Sequence, residues 1–331
     1  MFYDIFNSFL KQTDPEVAHQ LAIKFLKTNI IPFDLFKFKP HEKLRSKVFG
    51  IEFENPVGLA AGFDKNAEVY NSIYKLGFGY TEVGTVTPKP QEGNPKPRVF
   101  RLNQDKAIIN RLGFPNEGME KIFNRIANNL NNGILGINIG PNKENATKND
   151  DYLICLEKFY DQADSIAINI SSPNTKQVRE LQTDKYLEDL VKKISSLQKQ
   201  QNEKMGTQKP VLYKISPDNN EKELVEISHV FNKFCVDGVI VTNTTNNHDE
   251  LTSDLKVAGG LSGAPLEQRA LLCLKKIKPL LNKDIAIIAS GGIMSKENVE
   301  QRFKAGASLV QIYTGLIYKG PKIVSDSLKN L

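Results

Sequence analysis

The stretch KPVLYKISPDNNEKELVEISHVFNKFCVDGVIVTN, residues 209–243, decides how this chain folds. It opens on a continuous apolar run, VLYKI (211–215), and closes on another, GVIVT (238–242), with a helical stretch over 220–233 between them. Strands buried on both faces read as unbroken apolar runs, and two of them joined by a helix make a parallel βαβ unit. The pattern extends outward in both directions. Further strands are predicted at NPVGLAA (55–61), GYTEVG (79–84), GILGINI (133–139), SIAINI (165–170), IAIIA (285–289) and SLVQIY (308–313), with helical segments at 65–76, 151–163, 184–201 and 295–304. Eight such units predict an α/β fold, a (β/α)8 TIM barrel. A doubly wound sheet is the runner-up, but no G-x-G-x-x-G follows the first strand.

The first forty residues follow another pattern. Phe2, Ile5, Phe6, Phe9 and Leu10 recur at helical spacing, and a second helix starts at Asp14, which can cap it, with Pro15 and Glu16 in its first turn. Its apolar stripe is Ala18, Leu21, Ala22, Phe25 and Leu26. The expected organisation is a two-helix amphipathic extension, residues 1–40, before a barrel spanning 41–331. Such helices either pack on a core or lie in a membrane surface. Lysines and acids nearly balance there, so any lipid contact would be mainly hydrophobic.

Of the 331 residues, 40% are hydrophobic and 25% charged, a globular composition with ample material for a core. The net charge of +6 is dispersed, which argues against nucleic acid as a partner. Three cysteines without a C-x-x-C pair and four scattered histidines offer no iron–sulfur or metal site. No apolar run is long enough to span a bilayer and no signal peptide stands before the fold, so an intracellular location is expected. That expectation removes the glycosylation reading of Asn169-Ile170-Ser171.

A barrel of this kind carries its site at the C-terminal strand ends. There the chain places Ala61, Gly62, Phe63, Asp64 and Lys65; Gly84 and Thr85; Asn138; Asn169 with the Ser171–Thr175 turn; Thr242, Asn243 and Thr244; Ser290, Gly291 and Gly292; and Tyr313, Thr314 and Gly315. Glycine pairs after the last two strands suit a phosphate. Lys214 inside an apolar run is costly unless it meets negative charge, and it could stabilise an anionic ring or form a Schiff base. Asn110, Asn138, Asn169, Asn174 and Asn243 offer donor and acceptor without charge, which suits a flat ligand such as a pyrimidine or a flavin.

In its ordered stretches the chain resembles the dihydroorotate dehydrogenases, specifically the membrane-associated, quinone-using class 2. The matching stretches are NPVGLAAGFDKNAE, GTVTPKPQEGNPKPRVFRL, NRLGFPNEG, GINIGPNK, DDYLICLEKFY, INISSPNT, DGVIVTNTT, GGLSGAPL and LVQIYTG. The resemblance implies an FMN barrel that oxidises dihydroorotate to orotate in pyrimidine synthesis. It implies that FMN is held by Ala61, Gly62, Phe63, Asp64, Lys65, Thr85, Asn138, Asn169, Lys214 and Thr242, with its phosphate against Gly263, Gly292, Tyr313 and Thr314. Substrate would meet Lys65, the run Asn110, Arg111, Leu112, Gly113 and Phe114, and Asn169, Asn174, Asn243 and Thr244. Ser172 matches the family's catalytic base, which removes the C5 proton while hydride leaves C6; a serine needs a tuned environment for that role. Lys214 would stabilise negative charge on the reduced flavin. His19, Arg101 and Tyr313 match positions along a tunnel that brings quinone from the membrane.

By the same resemblance the protein is a monomer at the cytoplasmic side of the cell membrane, peripherally bound to lipid and without an iron–sulfur partner subunit. Three departures fall in loops: Pro115 for an asparagine, Pro141 for a lysine, and Gln177-Val178 for Gly-Leu after the base. The rivals are a soluble, fumarate-using dehydrogenase of the same family, a Schiff-base lyase using Lys214, and a peripheral membrane protein that binds a phosphorylated ligand without turnover.

Overall fold

A computed structural model of the protein describes residues 12–28, 42–145, 149–171, 184–255, 257–329 and 331. The first helix expected, at residues 2–10, and the end of the extension, residues 29–40, lie outside them. Helix α1 (Pro15–Lys27) starts where the sequence places it: the Asp14 carboxylate accepts from the N–H groups of Glu16 and Val17 at 2.9 and 3.1 Å, and proline occupies the first turn. Its stripe is only partly the expected one. Ala18, Ile23 and Leu26 are buried, whereas Val17, Leu21 and Phe25 face outward.

The hairpin β1 (Ser46–Val48) and β2 (Ile51–Phe53) follows, and then the barrel. Its strands are β3 (Val57–Leu59), β4 (Tyr80–Val86), β7 (Ile134–Ile139), β8 (Ser165–Asn169), β9 (Val211–Ile215), β10 (Gly238–Val241), β12 (Ala286–Ser290) and β13 (Leu309–Ile312). They close in chain order with every pairing parallel, as the eight apolar runs predict. Between them run α2 (Tyr70–Lys75), α3 (Met119–Ala127), α4 (Asp150–Phe159), α5 (Asp184–Met205), α6 (Glu221–Lys233), α7 (Glu267–Ile277), α8 (Lys296–Lys304), α9 (Thr314–Lys319) and α10 (Lys322–Leu328). The helix expected over 65–76 begins only at Tyr70, because the Asp64 carboxylate takes the N–H groups of Glu68 and Val69, both at 2.7 Å, and holds residues 65–69 in a turn.

The main core lies between strands and helices, where Ile137, Ile166, Phe159, Leu190 and Ile227 are fully buried. A second cluster fills the N-terminal end of the barrel. Phe53 from the hairpin meets the Tyr80 ring edge-on at 5.3 Å, over Ala167, Leu212, Ile240, Ile288 and Leu309. Burying each such large side chain is worth roughly 1.5–3 kcal/mol, so the hairpin seals this end firmly. At the opposite end, β5 (Val99–Leu102), β6 (Ala107–Asn110) and β11 (Gly260–Gly263) form a three-stranded antiparallel sheet beside the strand ends. It draws on two excursions far apart in the chain.

Candidate active site

The barrel register carries a chain of hydrogen bonds across the strand ends. Glu82, on β4, is buried and points into the barrel, where its carboxylate accepts from Asn138 Nδ2 at 2.9 Å and from Gln311 Nε2 at 2.8 Å. Asn138 Oδ1 accepts from Thr85 Oγ1 at 2.7 Å, and Asn169 Nδ2 donates to Thr85 Oγ1 at 3.1 Å. Asn243 Nδ2 donates to Asn169 Oδ1 at 3.2 Å and to Ser171 Oγ at 3.1 Å. A carboxylate only accepts, so Glu82 fixes which end of each carboxamide faces its neighbour. Thr85 enters this chain because the β4–β7 register shifts between Val83 and Val86, at Gly84, whose φ of +103° suits glycine.

Above this layer opens a cavity lined by Ala61, Gly62, Lys65, Thr85, Asn110, Leu112, Gly113, Phe114, Asn169, Lys214, Thr242, Asn243, Thr244, Gly263, Gly292, Tyr313 and Thr314. The structure thus brings most of the expected residues to one place. Lys214 sits opposite Asn169 in the β8–β9 register and is buried. Burial pushes its ammonium below the ordinary lysine pKa, and the Glu82 charge works against that shift. Lys65 donates to the Gly62 carbonyl at 2.7 Å; burial lowers its pKa to about 8, opposed by the Glu16 carboxylate.

Several expected residues stand elsewhere. Ser172 and Asn174 lie outside the described residues. Asn138 lies one layer beneath the cavity, fully buried. The Asp64 side chain caps the turn before α2, and Arg111 turns away to the Pro97 carbonyl at 3.0 Å and the Phe100 ring. Phe63 faces a second cavity. Three residues absent from the sequence reading belong to the site: Glu82, Gln311, and Ser262, which accepts from Thr314 Oγ1 at 2.8 Å; Ser171, expected only as part of the turn after its strand, accepts from Asn243. A charge or carboxamide within the runs GYTEVG and SLVQIY is the signal that would have found the first two; it is the same signal that marks Lys214.

These residues fit a flat ligand carrying a phosphate. Gln311 Oε1 is a buried acceptor with no partner among the described residues, Lys214 brings a cation, and Gly291, Gly292 and Gly263 line the far end. A Cβ at Gly292 would collide with the backbone of Glu267, so only glycine lets the chain pass there. FMN, expected from the sequence, matches this donor set.

The second cavity, of about 580 Å³, lies under α1. Ala18, His19, Ile23, Phe63, Arg101 and Leu316 line it, and it shares Lys65, Asn110, Leu112, Pro115 and Tyr313 with the first. The His19 ring meets Phe63 edge-on at 5.2 Å, and Phe63 meets Tyr313 at 6.3 Å, so an aromatic row links the two. Burial, helped by the Lys65 charge, lowers the His19 pKa to about 3, which keeps the imidazole neutral; burial raises Tyr313 to about 12. Glu16 ties α1 to the barrel through Arg98, with Nη2 and Nε donating to its two oxygens at 2.7 and 3.1 Å.

Residues 43–331 match the family model described as dihydroorotate dehydrogenase. Over 332 residues the chain is 45% identical to the dihydroorotate dehydrogenase (quinone) of Bartonella tribocorum, covering 100% of this chain and 91% of that one. Over 337 residues it is 44% identical to the protein of that name from Aliivibrio fischeri, covering all of both. The structure of DHODH from Eimeria tenella in complex with ferulenol superposes with a TM-score of 0.90 at 37% identity, covering 98% of this chain and 93% of that one.

Proposed function

This chain belongs to the dihydroorotate dehydrogenase family, and from that premise we propose its full reaction: oxidation of dihydroorotate to orotate in pyrimidine synthesis, with FMN as cofactor and a quinone as terminal acceptor. The observation that carries this reading is the pair of cavities, one lined by lysines, carboxamides and hydroxyls at the strand ends and one largely apolar under α1, with five residues in common. One suits a charged pyrimidine and the other a lipophilic oxidant. The names of the relatives favour quinone over fumarate.

FMN, when bound, supplies the hydride acceptor. The protein's share is orientation, charge and proton removal. Lys65 meets the substrate carboxylate, while Asn110, Asn169, Asn174, Asn243 and Thr244 orient the ring through their carboxamide and hydroxyl groups. Ser172 takes the C5 proton; in sequence it lies three positions beyond Asn169, where the strand ends, and its neighbour Ser171 accepts from Asn243. Lys214 supplies positive charge at the cavity wall where negative charge develops. Gly263, Gly292 and Thr314 receive the phosphate. Neutral His19, Arg101 and Tyr313 line the quinone route.

The protein acts as a monomer at the cytoplasmic face of the cell membrane, touching lipid without crossing it and without a partner subunit. Outward-facing Val17, Leu21 and Phe25 on α1 support that placement. No helix among the described residues is long and apolar enough to cross a membrane. The test is the visible spectrum of the purified protein under nitrogen. A flavin spectrum should bleach with dihydroorotate and recover with quinone. A yellow protein that dihydroorotate leaves unbleached overturns the substrate; a colourless one that refuses FMN overturns the cofactor and favours Schiff-base chemistry at Lys214.

A further inference from the structure

Behind the glycine turn that follows β12 lies a side chain with no role so far. Arg302, on α8, is fully buried, one of the largest side chains to be so. One nitrogen, Nη2, donates to the Glu267 carbonyl at 2.8 Å and to the Gly291 carbonyl at 3.2 Å. Its Nε and Nη1 are buried without a partner among the described residues, and no carboxylate is paired with it there. A buried guanidinium left so is costly unless an anion compensates it. Burial lowers its pKa to about 10, against the pull of Glu267.

The geometry points to Arg302 as the positioning residue for the phosphate of the flavin, acting from behind the Gly291–Gly292 turn. In a planar trans peptide the carbonyl and the next N–H point in opposite directions. Arg302 holds the Gly291 carbonyl on its own side, so the Gly292 N–H is turned the other way. Gly292 itself lines the cavity. Gly291 at φ +98° and Gly292 at φ +70° leave room for no side chain, since a Cβ would meet Leu266 at the first and the Glu267 backbone at the second. One side chain thereby aims a donor at the anion and places positive charge one peptide layer behind it. The dianion in turn adds to the negative charge that Glu267 supplies to Arg302. This rests on the FMN reading above.

Holoenzyme exchanged with either FMN or riboflavin, which lacks the phosphate, tests the assignment; flavin release is read from fluorescence on dilution. In Arg302→Met, FMN should bind at least about tenfold more weakly, as expected for loss of a buried charge partner, while riboflavin changes by less than about threefold. Arg302→Lys keeps the charge but not the fork and should weaken FMN by about threefold, again sparing riboflavin. Should the Met variant fail to fold, the Lys variant decides alone. Equal losses for both flavins would reduce Arg302 to a structural residue, and no loss for either would remove it from the site. A wild-type protein that takes up neither flavin overturns the functional reading instead.

Discussion

The cavity of lysines and carboxamides takes its walls from the ends of β3, β4, β8, β9, β10, β12 and β13, whereas the apolar cavity borrows a helix that is no part of the barrel. In the first, the strand-borne side chains are placed by sheet register: Lys214 stands opposite Asn169 because their strands pair. In the second, α1 is fastened by a handful of side-chain contacts. Glu16 binds Arg98, Lys27 pairs with Glu68, and Ser72 Oγ donates to the Leu26 carbonyl at 2.8 Å. On the proposed reaction, bond breaking would take place on the rigid element, and a greasy co-substrate would be admitted beside the attached one. The two half-reactions should therefore be separable by mutation.

The largest separation is expected from Ser172→Ala, which should slow flavin reduction by dihydroorotate about a thousandfold while leaving quinone reoxidation and orotate binding intact. Anaerobic stopped-flow measurement of both half-reactions checks it, and reduction at the wild-type rate would remove Ser172 from the base role. Deleting residues 1–30 tests the opposite side. It removes the wall formed by Ala18, Ile23 and their neighbours, so reoxidation by a long-chain quinone should slow by roughly tenfold with reduction spared. Equal slowing of both halves would show that α1 supports the barrel as a whole.

The shared wall responds to pH. Lys65 is charged below about 8 and loses its proton above it, so dihydroorotate affinity should hold up to that pH and then fall by about tenfold per unit. Binding above pH 8 must then take up a proton, measurable by calorimetry in two buffers; a flat profile from pH 7 to 9.5 would contradict the carboxylate contact. The smallest effect is expected for Glu16→Gln, which keeps the shape but loses the charge facing Arg98. Quinone KM should rise by about threefold with the rate of flavin reduction unchanged, since a carboxamide can still accept from Arg98 and other contacts still hold α1.

The eight barrel strands are legible in the sequence because burial on both faces leaves an unbroken apolar run, and α1 is legible because Asp14-Pro15 marks its start chemically. The sheet of β5, β6 and β11 is not. VFRL, AIIN and GLSG are short and mixed in character, and Gly260 pairs with Asn110 across 150 positions, which no local pattern records. Among site residues, asparagines next to strand ends announce themselves. Glu82 is marked only by being a charge inside GYTEVG, a run expected to be buried, and its partners Asn138 and Gln311 lie on other strands, which no local pattern records. Arg302 escapes because in KENVEQRFK it reads as one more solvated charge on a polar helix. Arg111 shows the remaining limit, since the run 110–114 follows one backbone yet only some of its side chains turn inward.

The hairpin at the far end has a consequence of its own. Phe53 and its neighbours close the barrel opposite the chemistry, separated from the cavity by the strands themselves. The packing that seals the barrel and the side chains that line the cavity thus lie at opposite poles of one axis. Substitutions around Ile51 and Ile288 would act on this seal and not on the residues that line the cavity.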